Sequence, residues 1–408
     1  MARGAKPIFV AATRQHVGKT TVSLALMAGL KKRFPRVGFL KPVGQQHVTV
    51  SDEKGSSLRV DKDVQVMKEH FALDHVAYDT MSPVLIPKGY TSRYIAGEHS
   101  RDEQADDAAV KAIRDAYEAQ QAASDFVLVE GTGHVGVGSI VEMSNAHTAA
   151  LIDADVVLVS NGGLGRAFDE LEMNRRMFAA EGVAIRGVVL NKVTPDKVEM
   201  VRDKMSQVLR ERWGVPLLGV VPDLPYLGKA TLGDLEGVLE ANLLAGHRCR
   251  GLHYGVHDAF LVTTGLRRFL RRAFEQREAN WNRPLFVTHA TRDDLLLGFL
   301  AHHQKKMKQQ ENEIHGADMW AGAIVLSIGA SRNFPDLEFV ADDHQPLSYL
   351  VKMAVDTDAP VLITNKGTVD ALECIKSFTA KHNITDRVRI TAAIEHYEPQ
   401  IDFDLMLR

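Results

Sequence analysis

The sequence predicts an α/β protein, a parallel sheet covered by helices on both faces, with a second, smaller α/β domain behind it. Two observations carry this. Short β-branched runs bounded by glycine and proline alternate with helical patterns along the whole chain. In addition, 408 residues exceed one ordinary core, and the pattern breaks over the proline- and glycine-bearing stretch Pro222 to Glu240. The domains are therefore expected at 1–232 and 236–408.

The elements follow in order. "PIFVAAT" reads as the first strand, and a helix runs from Lys19 to about Lys32. "RVGFLKPVG" is the second strand, and a long helix over about Ala105 to Ala123 leads into "DFVLVEGTG". "ADVVLVSNGG", "IRGVVLNKV" and "PLLGVVPD" then alternate with helices. In the second half, "DAFLVTT", "RPLFVTHA", "AGAIVLSIG", "APVLITNKG" and "VRITAAIE" are strand expectations. "HHQKKMKQQENEIHG" reads as a solvated loop or helix face. "GLRRFLRRAF" pairs Arg267 with Arg271 and Arg268 with Arg272 at helical spacing, an exposed basic face.

Composition narrows the setting. Hydrophobic residues make up 45% and charged residues 25%, as in soluble globular chains. A formal charge of −3 gives no polyelectrolyte signal, so neither nucleic acid nor membrane is an expected partner. No apolar run approaches the roughly 18 residues that span a bilayer. The two cysteines, Cys249 and Cys374, lack metal spacing and a nucleophile's setting, which favours a reducing compartment. The expected location is the cytoplasm, or an organelle if a transit peptide has been removed.

The first loop carries the chemistry. Thr13-Arg14-Gln15-His16-Val17-Gly18-Lys19-Thr20-Thr21 lies between a strand and an amphipathic helix. Gly18 permits close backbone approach, Lys19 supplies a cation for outer phosphates, and Thr20 offers a hydroxyl to Mg²⁺. This is a phosphate-binding loop without its usual first glycine, and the domain reads as a P-loop NTPase-type sheet.

"RQHVGKTTVSLALMAGL", "FLKPVG", "VLVEGTG", "DVVLVSNGGLG" and "GVVLNKV", in that order, resemble the dethiobiotin synthetase-like P-loop family. The set is especially similar to the N-terminal domain of long-form phosphate acetyltransferases. In that family the loop often carries one more residue, which puts Ala12 rather than Thr13 in the first-glycine slot. The resemblance implies ATP and Mg²⁺ as cofactors, with Lys19 and Lys41 as the catalytic cations. It makes Glu130 an acidic metal partner, and Asp63 a second one with Asp61 as its rival. A helix N-cap role explains either aspartate equally well. Asn191, beside Lys192, would read the adenine edge, or serve as a turn residue.

The stretches "LFVTHATRDDLLLGFL", "AGAIVLSIG" and "APVLITNKGTVDALECI" resemble the DRTGG domain. Thr291-Arg292-Asp293-Asp294 stands where that family has its signature run, and Ile328-Gly329-Ala330 replaces a common glycine pair. Thr364, Asn365 and Thr368 gather after a strand end, where a helix cap explains them as well.

The functional expectation is an ATP-binding protein that responds to nucleotide or metabolite, or a weak ATPase. One alternative is an ATP-dependent ligase that phosphorylates a carbamate, with a small carboxylate or amine ligand; another is a scaffold with a dead loop. Gly44-Gln45-Gln46-His47 after Lys41 favours the acetyltransferase-type domain. The resemblance also implies a homodimer or higher homo-oligomer. Leu171, Met173, Met177 and Phe178 form one wide apolar face that suits a contact or the protein's own core.

Overall fold

A computed structural model describes residues 6–51, 55–96, 103–271, 283–310, 320–329 and 348–408. The chain divides into two compact units, Met1–Leu224 with His382–Arg408, and Pro225–Lys381.

The first unit is built on β1 (Ile8–Ala12), β2 (Val37–Leu40), β3 (Phe126–Glu130), β4 (Asp155–Asn161), β5 (Ile185–Val193) and β6 (Leu217–Pro222). These form one six-stranded sheet in the order β6-β5-β4-β1-β3-β2. Every pairing is parallel. The residues of β1 and β3 are all buried, as central parallel strands covered on both faces require. The strand order reverses on either side of β1, so a crevice opens beyond its carboxyl end. The phosphate loop occupies that crevice and leads into α1 (Lys19–Lys31). An antiparallel hairpin, His47–Ser51 with Ser57–Asp61, delivers Asp61 and Asp63 toward the same edge.

The last residues also belong to this unit. The sequence pattern "VRITAAIE" promises a strand, but Arg387–Tyr397 is a helix. Tertiary packing overrides its β-branched character: Ile390, Ala393 and Tyr397 are buried at helical spacing, and the helix packs on α1. Asp386 caps its first turn. Further on, Ile401 bridges Gly219 antiparallel at the end of the sheet. A Cβ on Gly29 of α1 would run into the Phe403 ring. Where the sequence carried the second domain on to Arg408, the chain instead re-enters the first unit at His382.

The second unit has its own five-stranded sheet. Its strands are β7 (Asn242–Ala245), β8 (Phe260–Leu261), β9 (Leu285–His289), β10 (Ala323–Ser327) and β11 (Val361–Thr364). The order is β7-β11-β10-β9-β8, parallel except for β7 on β11. The polar run after His302 continues a helix, Asp293–Gln310, and then passes outside the described residues. The Arg267 to Arg271 pair lies at a short helix, whereas Arg272 lies outside the described residues, as does Ala330.

Candidate functional site

Gly18 is the residue before α1, with φ 90°, and no side chain caps the helix. The first-turn N–H groups are thus left for a ligand, at the positive end of the helix dipole. Any Cβ on Gly18 would strike the Asn191 amide, so close packing as well as backbone conformation requires glycine here.

The crest of the loop is tied down from behind. Asn191, fully buried, donates from Nδ2 to Val17 O at 2.7 Å. Lys192 Nζ donates to His16 O at 2.8 Å. Both residues therefore brace the loop. Gln15 and His16 are exposed, and Val17 is buried.

The front edge, where the glycine is missing, has its own support. Ala12 is buried inside β1. Thr13 Oγ1 reaches Ser160 Oγ at 3.2 Å and Glu170 Oε2 at 3.3 Å. Asn174 Nδ2 donates to Thr13 O at 3.3 Å. Arg14 Nε lies 3.5 Å from Glu170. Glu170 and Asn174, on the helix Gly165–Ala180, thus hold the strand-to-loop turn, a function that the sequence did not mark.

Beneath the loop lies a compact charged group. Lys19 Nζ is 3.4 Å from Glu130 Oε1, and Thr20 Oγ1 donates to the same oxygen at 2.9 Å. Thr20 Oγ1 also lies 3.3 Å from Asp63 Oδ2. Lys41 joins three carboxylates: it pairs with Asp63, with Asp61 at 3.1 Å and with Glu130 at 3.5 Å. The two aspartates face different partners. Asp61 is the N-cap of Lys62–Phe71, accepting from Asp63 N at 3.0 Å, while Asp63 turns its carboxylate to Thr20.

Burial pulls the Lys19 pKa down, and Glu130 restores it only in part. For Lys41 burial acts in the same direction, but Asp63, Glu130 and Asp61 outweigh it and hold the pKa above the ordinary lysine range. Asp63 is lowered in turn: burial opposes its charge, and Lys41 overrules that cost.

A divalent cation fits this donor set. Thr20, Asp63 and Glu130 present hard oxygens together, and Glu130 Oε2 is buried with no partner among the described residues. Among the described residues no group of three or more His, Cys, Asp or Glu makes a cage. Mg²⁺ needs none, because it keeps waters and shares phosphate oxygens.

After Glu130 the chain turns through Thr132 and His134, fixed by the buried Asn145 amide, which donates to both carbonyls at 2.7 Å. His382 is a further addition that sequence reading missed. Its Nε2 lies 2.9 Å from Thr21 Oγ1, and nothing in a residue so distant along the chain signals the contact. Burial moves its pKa down to about 4, against the pull of Asp63 and with the help of Arg389.

A P-loop on the switch point of a parallel sheet is the architecture of a nucleotide-binding NTPase fold. Residues 6–231 match the family model described as an AAA domain. The chain belongs to the AAA domain family. Its AAA domain and second unit together are 24% identical, over 97% of this chain, to a phosphate acetyltransferase of Nitratidesulfovibrio vulgaris. The chain spans 50% of that protein's length. Over 52% of the chain it is 28% identical to an ATP-dependent dethiobiotin synthetase of Methanocaldococcus jannaschii, covering 92% of that enzyme. Among solved structures, the MinD cell division protein of Aquifex aeolicus overlaps 55% of this chain and 84% of its own, with 13% identity and a TM-score of 0.32.

Among the described residues of the second unit, several polar side chains pair within the unit. Arg292 makes a two-pronged pair with Asp294 at 2.8 and 2.9 Å and donates to Thr264 O. Thr364 Oγ1 donates to Leu239 O at 2.6 Å, and Thr368 shares a hydroxyl contact with Ser327. Cys249 and Cys374 are free thiols.

Proposed function

We propose that the chain binds ATP with Mg²⁺ at the Thr13–Thr21 loop and serves as a nucleotide-responsive module of the phosphate acetyltransferase type. The observation that carries this is the buried group of Lys19, Lys41, Asp63 and Glu130 around Thr20, set below helix amides that no side chain caps. Lys19 would lie against the outer phosphates, where its charge opposes developing negative charge. Thr20, Asp63 and Glu130 would hold the metal, which when bound adds a divalent charge on the same oxygens. Lys41 offsets part of the charge of the three carboxylates and pins Asp63 in place. The similarity across both units to a phosphate acetyltransferase supports a regulatory module, with the second unit as a DRTGG-like domain.

A second reading, an ATP-dependent ligase that activates a carbamate, is supported by the match to nearly the whole length of a dethiobiotin synthetase. Such chemistry needs positioning and charge rather than a protein nucleophile. Phosphate release with a diamine and bicarbonate, above that with ATP alone, separates the two.

Titration calorimetry with ATP, ADP and GTP, with and without Mg²⁺, tests the main reading. Lys19→Ala is expected to weaken ATP by about 2–5 kcal/mol, the cost of removing a buried cation from its partner. Unchanged affinity in the folded variant would sink the assignment. ATP is expected to bind more tightly than GTP, because Thr194 stands where guanine-specific loops place a carboxylate acceptor.

A further inference from the structure

The chain leaves the first unit after β6, builds Pro225–Lys381, and returns at His382. The first residue back is also the one that touches the phosphate loop. Thr21, its partner, lies in the first turn of α1 directly after Lys19 and Thr20. Thr21 Oγ1 sits 3.9 Å from where a Cβ on Gly18 would be, so the contact is made at the loop itself.

The proton on the His382 ring can be assigned. Nδ1 is buried with no partner among the described residues. Orphaned buried N–H groups are rarer than orphaned acceptors, so the proton belongs on Nε2, which donates to Thr21 Oγ1. Thr21 then keeps its own hydroxyl proton for another acceptor.

The segment that follows His382 is anchored on the first unit. The helix Arg387–Tyr397 packs on α1, and His396 Nε2 lies 2.9 Å from Pro222 O. Tyr397 is buried and hydrogen-bonds Asn191, the same residue that braces Val17 O. The returning segment thus reaches the loop on two flanks, at Thr21 through His382 and at Asn191 through Tyr397.

We propose that His382 is a positioning residue of the phosphate site, holding Thr21 and the first turn of α1 in the geometry that receives a nucleoside triphosphate. His382 directly follows the last residue of the second unit. The inference rests on the ATP reading above, and the test separates the two.

The experiment is ATP titration calorimetry on the full chain, with a melting temperature for each variant. His382→Ala is expected to weaken ATP about fivefold, the measure of one lost hydrogen bond. His382→Gln, whose amide N–H reaches the same oxygen, should return to within about twofold of the parent. Phe403→Leu loosens the same segment without touching Thr21, and should lower the melting temperature while leaving affinity alone. A parent chain that binds no nucleotide defeats the ATP reading itself. A parent that binds while His382→Ala binds equally well overturns this inference. So does a Gln variant no better than Ala, or a Phe403→Leu variant as weak as Ala. Should the alanine variant fail to fold, His382→Asn replaces it: its shorter amide falls short of Thr21, and affinity equal to that of His382→Gln is the contrary result.

Discussion

The two sheets end in different kinds of edge. Beyond the first lie Lys19, Lys41, Asp61, Asp63 and Glu130, all close together and mostly withdrawn from water. Beyond the second lie His289, Ser327, Thr364 and Thr368, whose side chains close on neighbouring hydroxyls and carbonyls. Buried charge is expensive and persists where a fold holds it for a ligand or pairs it closely. Satisfied hydroxyls cost little and serve the architecture. The same strand-end position thus reads as a site in one unit and as a joint in the other.

The strongest break in this contrast is Lys41→Ala, which leaves Asp61, Asp63 and Glu130 without their shared cation. A loss of about 3–5 kcal/mol is expected in chemical denaturation. A loss below 1 kcal/mol would show that the carboxylates shed their charge or gain water. Ser327→Ala removes the 2.6 Å contact with Thr368 and the bond to Thr288 O. About 1 kcal/mol is expected, with ATP affinity untouched. An effect on affinity would show that the second edge acts on the first.

The pH dependence sharpens the contrast further. The folded His382 pKa, about 4, lies below the ordinary histidine value of about 6.5. The unfolded chain takes the proton first, so this contribution is whole above about 6.5 and declines as pH falls toward about 4. His382→Gln should remove that slope from denaturation curves; an unchanged slope assigns it elsewhere. Asp63, held below the usual carboxylate range, gives up its share only at more acid pH.

The smallest effect is expected at Met173. Of the four apolar residues that the sequence singled out on its helix, Leu171 and Phe178 are buried and Met177 packs on the core, which leaves Met173 exposed at 66%. Met173→Ser should change stability by no more than about 0.5 kcal/mol. If Met173 lies in a homo-oligomer contact, light scattering should lose a mass above 45.1 kDa that the parent shows. A parent at the protomer mass refutes the oligomer.

The sequence made the first sheet legible because parallel strands buried on both faces are written as unbroken apolar runs. Gly18-Lys19-Thr20 and Glu130 announced themselves by position after such runs. Three things were not legible. "VRITAAIE" has a strand's composition, and only its packing on α1 makes it helical. Thr13 looked like a defect until Ser160, Glu170 and Asn174 closed on it. His382 is separated from Thr21 by 361 positions, beyond any local pattern.

The return of the last segment also sets an order of manufacture. A ribosome delivers all six strands of the first sheet before it delivers Ile390, Tyr397 and Phe403, which cover α1. At about 5–20 residues per second, synthesis of Pro225–Lys381 holds that cover back for on the order of ten seconds or more. During that interval the nascent P-loop unit carries an open apolar seam, the kind of surface that chaperones recognise. A fragment cut at residue 232 would keep the seam open permanently, so dissecting this protein at its apparent boundary should yield an aggregating piece. Co-expressing residues 382–408 as a separate peptide is the way to recover it.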